Sequence, residues 1–243
     1  MGQTISVVSG KGGTGKTSFT ANVGMALAQM GYATLCLDCD IGLRNLDITM
    51  AMTDRAVMDF TDVLAGRCTL EEAAAAHPQQ KNLFLLTAPN RETWVDTTLF
   101  RGLVEEINQK FDYCLVDAPA GLGSGFRLAV SGADRAVVVT TTEASSLRDA
   151  QKTVMELKDL RTVHLVVNRC RKKLLKSLHQ TIDDAIDMAG LPLLGVVPED
   201  ETMPLYAGRE IPLLLSGNDC AAQAYRNIAR RLDGQRAKLM RLR

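Results

Sequence analysis

The strongest local constraint on this chain is a junction near its start. A short apolar run, Ile5–Val8, leads into Gly10-Lys11-Gly12-Gly13-Thr14-Gly15-Lys16-Thr17, and a segment with helical spacing follows. The eight residues match G-x-x-x-x-G-K-[ST] in full, in the strand-then-helix context that this spacing requires. Its glycines let successive backbone N–H groups turn toward phosphate oxygens, and the helix behind them contributes the positive end of its dipole. The expected nucleotide-binding loop is therefore Gly10, Lys11, Gly12, Gly13, Thr14, Gly15, Lys16, Thr17 and Ser18. Lys16 would face the β- and γ-phosphates as a catalytic cation, and the Thr17 hydroxyl would ligate Mg2+.

A phosphate loop of this kind needs a parallel sheet to hold it, and the rest of the chain has the pattern of one. Apolar runs recur at Ile5–Val8, Ala33–Leu37, Leu83–Thr87, Tyr113–Val116, Ala136–Thr140, Val163–Val167 and Leu193–Val197. Each is apolar throughout, as a strand covered on both faces must be. Between them lie helical patterns at Thr17–Met30, at Thr97–Gln109 with Leu99, Leu103, Val104 and Ile107 inward, and at Ser146–Leu160. The expectation is an α/β fold: a mainly parallel sheet with helices on both faces, of the P-loop NTPase class with a SIMIBI-like arrangement. Residues 1–234 read as a single domain and 235–243 as a short basic tail. The Ala73–Ala76 run after Glu71-Glu72 reads as an Ala-rich surface helix.

Hydrolysis requires carboxylates at the carboxyl ends of neighbouring strands, where ligands of open α/β sheets lie. Asp117 ends the Tyr113–Val116 run and suits a residue holding Mg2+ through water; Gly121 follows, free to bring its N–H toward a γ-phosphate. Asp38 and Asp40 flank Cys39 at the end of the second strand, so alternation aims them to one side. One of them could orient or deprotonate an attacking water. The alternative for each is a strand-end Asp capping the next turn. Where a guanine pocket would carry Asn-Lys-x-Asp, this chain has Val167-Asn168-Arg169-Cys170-Arg171, which favours ATP over GTP. Six scattered cysteines, Cys36-x-x-Cys39 among them, read as free thiols, not as a disulfide framework or metal set.

With Lys11 in the loop, the motif resembles the deviant Walker A of the MinD/ParA family. The segments Asp38-Cys39-Asp40-Ile41-Gly42-Leu43-Arg44-Asn45-Leu46-Asp47, Asp117-Ala118-Pro119-Ala120-Gly121 and Ser145-Ser146-Leu147-Arg148-Asp149 are similar to the switch I, switch II and S-S-x-R-D segments of its MinD branch. Val166–Arg169 and Gly195–Asp200 resemble its late-strand base-binding segments. The resemblance implies a homodimer formed with ATP, in which Lys11 reaches the partner's phosphates as a second catalytic cation. It implies Asp40 as the water-orienting carboxylate, Asp38 with Asp117 and Thr17 at the metal, and Asn168, Arg169 and the backbone near Pro198 at the adenine. Arg148 and Asp149 would lie near the dimer seam and partner surface; otherwise they are a solvated pair at a helix start. Activating and effector proteins of a division-site system are the implied partners, on the inner face of the cell membrane.

The 28 Lys and Arg cancel the 28 Asp and Glu, so any membrane or nucleic-acid contact must come from local charge. No signal peptide or membrane span is present in this sequence, and a cytoplasmic, peripheral protein is expected. From Arg226 onward seven basic residues (226, 230, 231, 236, 238, 241 and 243) face one acid, Asp233, a local +6. At helical spacing Leu232, Leu239 and Leu242 would share a membrane-touching face with Met240 at its edge, but Arg236 and Arg243 intrude on that face and it has no aromatic, which makes it a poor anchor. Four tail charges and three partly buried apolar side chains would supply about 4–7 kcal/mol at an anionic surface. That corresponds to roughly millimolar to ten-micromolar binding, and two tails in a dimer would raise it by roughly 10²–10⁴. The other reading of the tail is a solvated basic helix end. A second cluster, Arg169, Arg171, Lys172, Lys173 and Lys176, could bind DNA phosphates in a ParA-like manner, but it lacks interleaved aromatics and a solvated face is favoured.

Overall fold

The computed structural model describes residues 2–177, 181–200, 213–215, 220–240 and 242. Among them, eight strands form one sheet: β1 (Gln3–Val8), β2 (Thr34–Asp38), β3 (Ala75–His77), β4 (Gln80–Leu86), β5 (Tyr113–Asp117), β6 (Arg135–Thr140), β7 (Thr162–Cys170) and β8 (Leu193–Pro198). Their order is β3-β4-β2-β5-β1-β6-β7-β8, parallel except for the antiparallel edge pair β3 and β4. The seven apolar runs all lie on strands, and the fold is the expected mainly parallel α/β sheet.

Alternation along the strands divides the core in two. On one face Ile5, Val7 and Cys36 pack with Phe19, Val23 and Leu27 of α1 (Lys16–Gln29) and with Tyr225, Ile228 and Leu232 of a late helix, Cys220–Leu232. Phe19 and Tyr225 meet edge to face at 6.2 Å. On the other face Val8, Leu35 and Leu37 pack against helices Thr97–Lys110, Ser124–Ser131, Ala144–Met155 and Ile182–Ala189. Numbered with the short helices α2 (Leu46–Thr49), α3 (Phe60–Leu64), α4 (Leu70–Ala73) and α8 (Lys172–Ser177), these four are α5, α6, α7 and α9, and the late helix is α10.

Three expectations change. The Ala73–Ala76 run is no surface helix: α4 ends at Ala73, Ala73 and Ala74 are buried, and Ala75 opens β3, which pairs with β4. Backbone pairing along the sheet edge outweighs alanine's small helix preference. In α5, Leu99 is 57% exposed and Phe100 takes its place in the core, against Phe60. The tail does not continue α10 as a helix. Gly234, at φ 79°, closes the helix with the Gln235 N–H on Arg230 O (2.8 Å) and its own N–H on Arg231 O (3.1 Å). This is a Schellman ending, in which a residue without Cβ takes the left-handed position. The segment beyond it folds back, with Asn227 Nδ2 donating to Lys238 O and Arg231 to Ala237 O, and with Met240 and Leu242 partly buried. The helical face drawn for Leu239, Met240 and Leu242 is therefore absent; Leu239 points to solvent, and Arg241 and Arg243 lie outside the described residues.

Candidate functional site

β1 ends at Val8, and the chain turns through the glycine-rich loop into α1 at Lys16. Gly13 and Gly15 take left-handed backbone conformations, φ 77° and 91°. A Cβ at Gly15 would stand 2.3 Å from Asn168 Nδ2, and one at Gly10 would stand 2.6 Å from Asp149 O. The loop is thus clamped from two sides, by the end of β7 and by α7. Asn168 Nδ2 donates to Thr14 O at 2.8 Å, and Arg169 reaches Gly13 O at 3.3 Å. Arg169 also pairs with Glu199 at 3.1 Å, and Arg171 binds the same carboxylate.

Inside the loop, Lys16 Nζ donates to Ser9 Oγ at 3.0 Å, and Ser9 Oγ donates to Lys11 O at 2.7 Å. Burial lowers the Lys16 pKa, and the charges of Asp117 and Asp40 oppose that shift. Asp117 and Asp38 face each other across the β2–β5 pairing at the carboxyl edge. Burial pushes Asp117 up to about 7 and Asp38 to about 6; the Thr17 side chain bonds Asp117 and lowers it, and the Asp40 and Leu46 N–H groups do the same for Asp38. Asp40, just past the strand, is half-buried and also raised by burial, with Lys16 opposing. Gly121 lies beyond β5 at φ 86° with open space around it. The switch-like segment after Asp40 is held by Arg44, whose guanidinium pairs with Asp47 at 2.9 Å and with Ala56 O at 2.7 Å.

Lys11 behaves differently from Lys16. Its Nζ leaves the loop and sits 3.0 Å from both Glu143 Oε2 and Ser145 Oγ at the start of α7. The sequence offers no local signal for Ser9, Glu143 or Glu199 as partners of these groups. Glu143 lies 132 residues from Lys11, and only folding joins them. Arg148 is exposed, and Asp149 faces Lys152 at 3.8 Å rather than Arg148. Pro198 ends β8 opposite Cys170, next to Glu199. The amide of Asn168 is engaged with the loop and with the Arg169 N–H, so its position is that of a brace on the phosphate loop. Cys36 and Cys39 are fully buried and their thiols are raised well above ordinary values, which makes them inert packing residues.

The residues present fit a nucleotide and Mg2+. The Thr14 hydroxyl is buried without a partner, between Gly13 and Gly15 with their left-handed backbone. Two buried carboxylates at raised pKa, Asp117 bonded by the Thr17 side chain and Asp38 opposite it, are a donor set suited to a divalent cation. Among the described residues no cluster of three or more His, Cys, Asp or Glu side chains forms a closed metal cage. Mg2+ needs none, because it keeps waters and shares ligands with phosphate oxygens.

Fold and site together define a P-loop nucleotide-binding domain. Residues 5–213 match the CobQ/CobB/MinD/ParA nucleotide binding domain, and the chain belongs to the MinD/ParA family of nucleotide-binding ATPases. It is 39% identical to the septum site-determining protein MinD of Synechocystis over 242 residues, 97% of this chain and 91% of that protein. Among solved structures it resembles the MinC:MinD cell division protein complex of Aquifex aeolicus, with a TM-score of 0.93 and 38% identity over 99% of both chains. It also resembles MinD complexed with Mg-ADP from Pyrococcus horikoshii, at 0.84 and 32% over 96% of each. No helix among the described residues is long and apolar enough to cross a membrane.

Proposed function

We propose that this chain is an ATP-driven dimerisation switch that places the division septum. It binds ATP with Mg2+, forms a homodimer, attaches reversibly to the inner face of the cytoplasmic membrane, recruits activating and effector proteins, and resets on hydrolysis. The likeness to a MinC-bound MinD supports the partner reading, and the likeness to a Mg-ADP-bound one supports the cofactors. The observation that carries the reading is the divergence of the two loop lysines. Lys16 is buried in its own cradle, whereas Lys11 leaves the loop for a solvent-exposed ion pair with Glu143, from which it can be released to another protomer's phosphates.

In this reading the loop N–H groups and Lys16 bind the phosphates, and the Gly121 N–H approaches the γ-phosphate. Thr17, with Asp38 and Asp117 directly or through water, would hold Mg2+, which draws charge from the phosphoryl oxygens when bound. Asp40 orients the attacking water and takes its proton, a task its raised pKa suits. Lys11 of the partner places a second cation on charge that develops in transfer. Membrane contact falls to the basic tail, through its Arg and Lys side chains and the exposed Leu239; Met240 and Leu242, which pack on the domain, would join only on release of the tail. The ParA-like alternative, DNA or cargo positioning through Arg169–Lys176, has less support because Glu199 already engages Arg169 and Arg171 and offsets one of the cluster's charges.

Co-sedimentation with anionic liposomes in ATP and in ADP tests the proposal. Pelleting in ATP alone is expected; absence of pelleting in either nucleotide, together with salt-sensitive DNA binding, overturns it in favour of the alternative.

A further inference from the structure

At the edge of the sheet opposite the phosphate loop, the start of β7 and β8, the end of α10 and the returning tail line an open cavity of about 580 Å3. Its charged lining is entirely basic: Arg231, Arg236 and Lys238, with His164 beside them and no carboxylate among the lining residues. Two nitrogens in it are buried and without partners, His164 Nδ1 and Arg231 Nε. Arg231 spends its other donors on the walls, Ala237 O at 3.2 Å and Leu193 O at 3.0 Å, so its guanidinium is fixed with Nε–H unused. Arg135, bonded to Leu232 O at 3.0 Å, adds positive charge close by. Burial and the charges of Arg135 and Arg231 hold the His164 pKa below its ordinary value. Asp233, at the same helix end, is engaged by the Tyr113 hydroxyl and by Gln235.

A buried guanidinium N–H without an acceptor is costly, and the exposed Arg236 and Lys238 keep the field around it positive. An anion with several acceptor oxygens answers both. We propose that this cavity is a binding site for a phosphate group, carried either by a phospholipid headgroup or by a soluble phosphate ester. Arg236 and Lys238 meet the phosphate at the exposed rim, and a shift of the returning tail brings Arg231 Nε–H and His164, as its Nδ1–H tautomer, within reach of its oxygens. The lining includes Gly234–Lys238, so an occupant fastens the tail to the sheet edge. The site is separate from the phosphate loop and stands whether or not the switch reading holds.

The test follows the His164 ring by NMR in the full chain loaded with Mg-ADP, with the signal assigned by its loss in H164Q. Inorganic phosphate, phosphatidylglycerol vesicles and neutral phosphatidylcholine vesicles are added in separate titrations. Movement of the ring signal with phosphate marks a soluble ligand, and movement with phosphatidylglycerol alone marks a lipid headgroup; either supports the site. In R236A/K238A, whose changed side chains are exposed and leave the core intact, the same titration should shift about tenfold or more toward higher ligand. A ring signal unmoved by all three probes overturns the proposal, as does a titration unchanged in R236A/K238A.

Discussion

Lys11 Nζ lies 3.0 Å from Glu143 Oε2, and both side chains are largely open to solvent, at 41% and 67%. An ion pair so exposed is worth only about 0–1 kcal/mol, so it parks Lys11 without locking it. Lys11→Ala should leave the urea midpoint nearly unchanged while abolishing ATP-dependent dimerisation and stimulated hydrolysis. Glu143→Ala removes that ion pair from both protomers, and dimerisation in ATP should then need up to about thirtyfold less protein. Size-exclusion chromatography across a protein dilution series reads both. Unchanged stimulated hydrolysis in Lys11→Ala would contradict the role given to this lysine.

Gly10 tests how closely the loop and α7 are fitted. A methyl group there meets Asp149 backbone atoms at 2.6 and 2.9 Å, which no side-chain rotation can relieve. Gly10→Ala should therefore displace α7 or the loop at a cost of about 1–3 kcal/mol, and ATP affinity should fall with it. Urea unfolding measures the first effect and fluorescent-nucleotide titration the second. Gly12→Ala serves as the comparison, since its nearest neighbour would be the Ala120 Cβ at an ordinary 3.7 Å.

The carboxylates predict a pH dependence whose direction follows from burial. Asp117 at about 7 and Asp38 at about 6 titrate above their unfolded values, so the folded chain holds more protons between pH ~4 and those values. For these groups stability without ligand is therefore fully present below about pH 4, declines as pH rises through the interval, and stays reduced above it. Asp117→Asn removes that penalty. Near pH 8 the ligand-free variant should exceed the parent by on the order of 2 kcal/mol, and the gain should shrink toward pH 5. Added Mg-ADP should stabilise the parent and do so much less for the variant. Urea titrations at the two pH values, with and without Mg-ADP, settle the sign.

The parallel strands were legible because burial on both faces leaves continuous apolar runs such as Tyr113–Val116, and the phosphate loop because its chemistry is contained in eight consecutive residues. Leu99 misleads because Leu99, Leu103 and Ile107 suit a helical stripe as well as Phe100, Leu103, Val104 and Ile107 do; only the ring of Phe60 chooses between them. Ala75 misleads because its strand exists only through β4 and through His77, whose buried ring contacts Met50 O at 3.1 Å. The partners of Lys11 and Asn168 were illegible for one reason: each is brought in by sheet order, from more than a hundred residues away.

The returning tail makes a last prediction possible. Two hydrogen bonds, Asn227 to Lys238 O and Arg231 to Ala237 O, with partial burial of Met240 and Leu242, hold it to the domain. None of these contacts reaches the cores on either face of the sheet at full burial, so deleting residues 235–243 should cost only about 1–2 kcal/mol. The truncated protein should fold, bind nucleotide and dimerise in ATP, yet lose ATP-dependent pelleting with anionic liposomes, because the four tail charges and the apolar residues among them go together. Circular dichroism, nucleotide titration and sedimentation on the same preparation separate the outcomes. Pelleting that survives the deletion would move the membrane contact off the tail and onto another surface of the dimer.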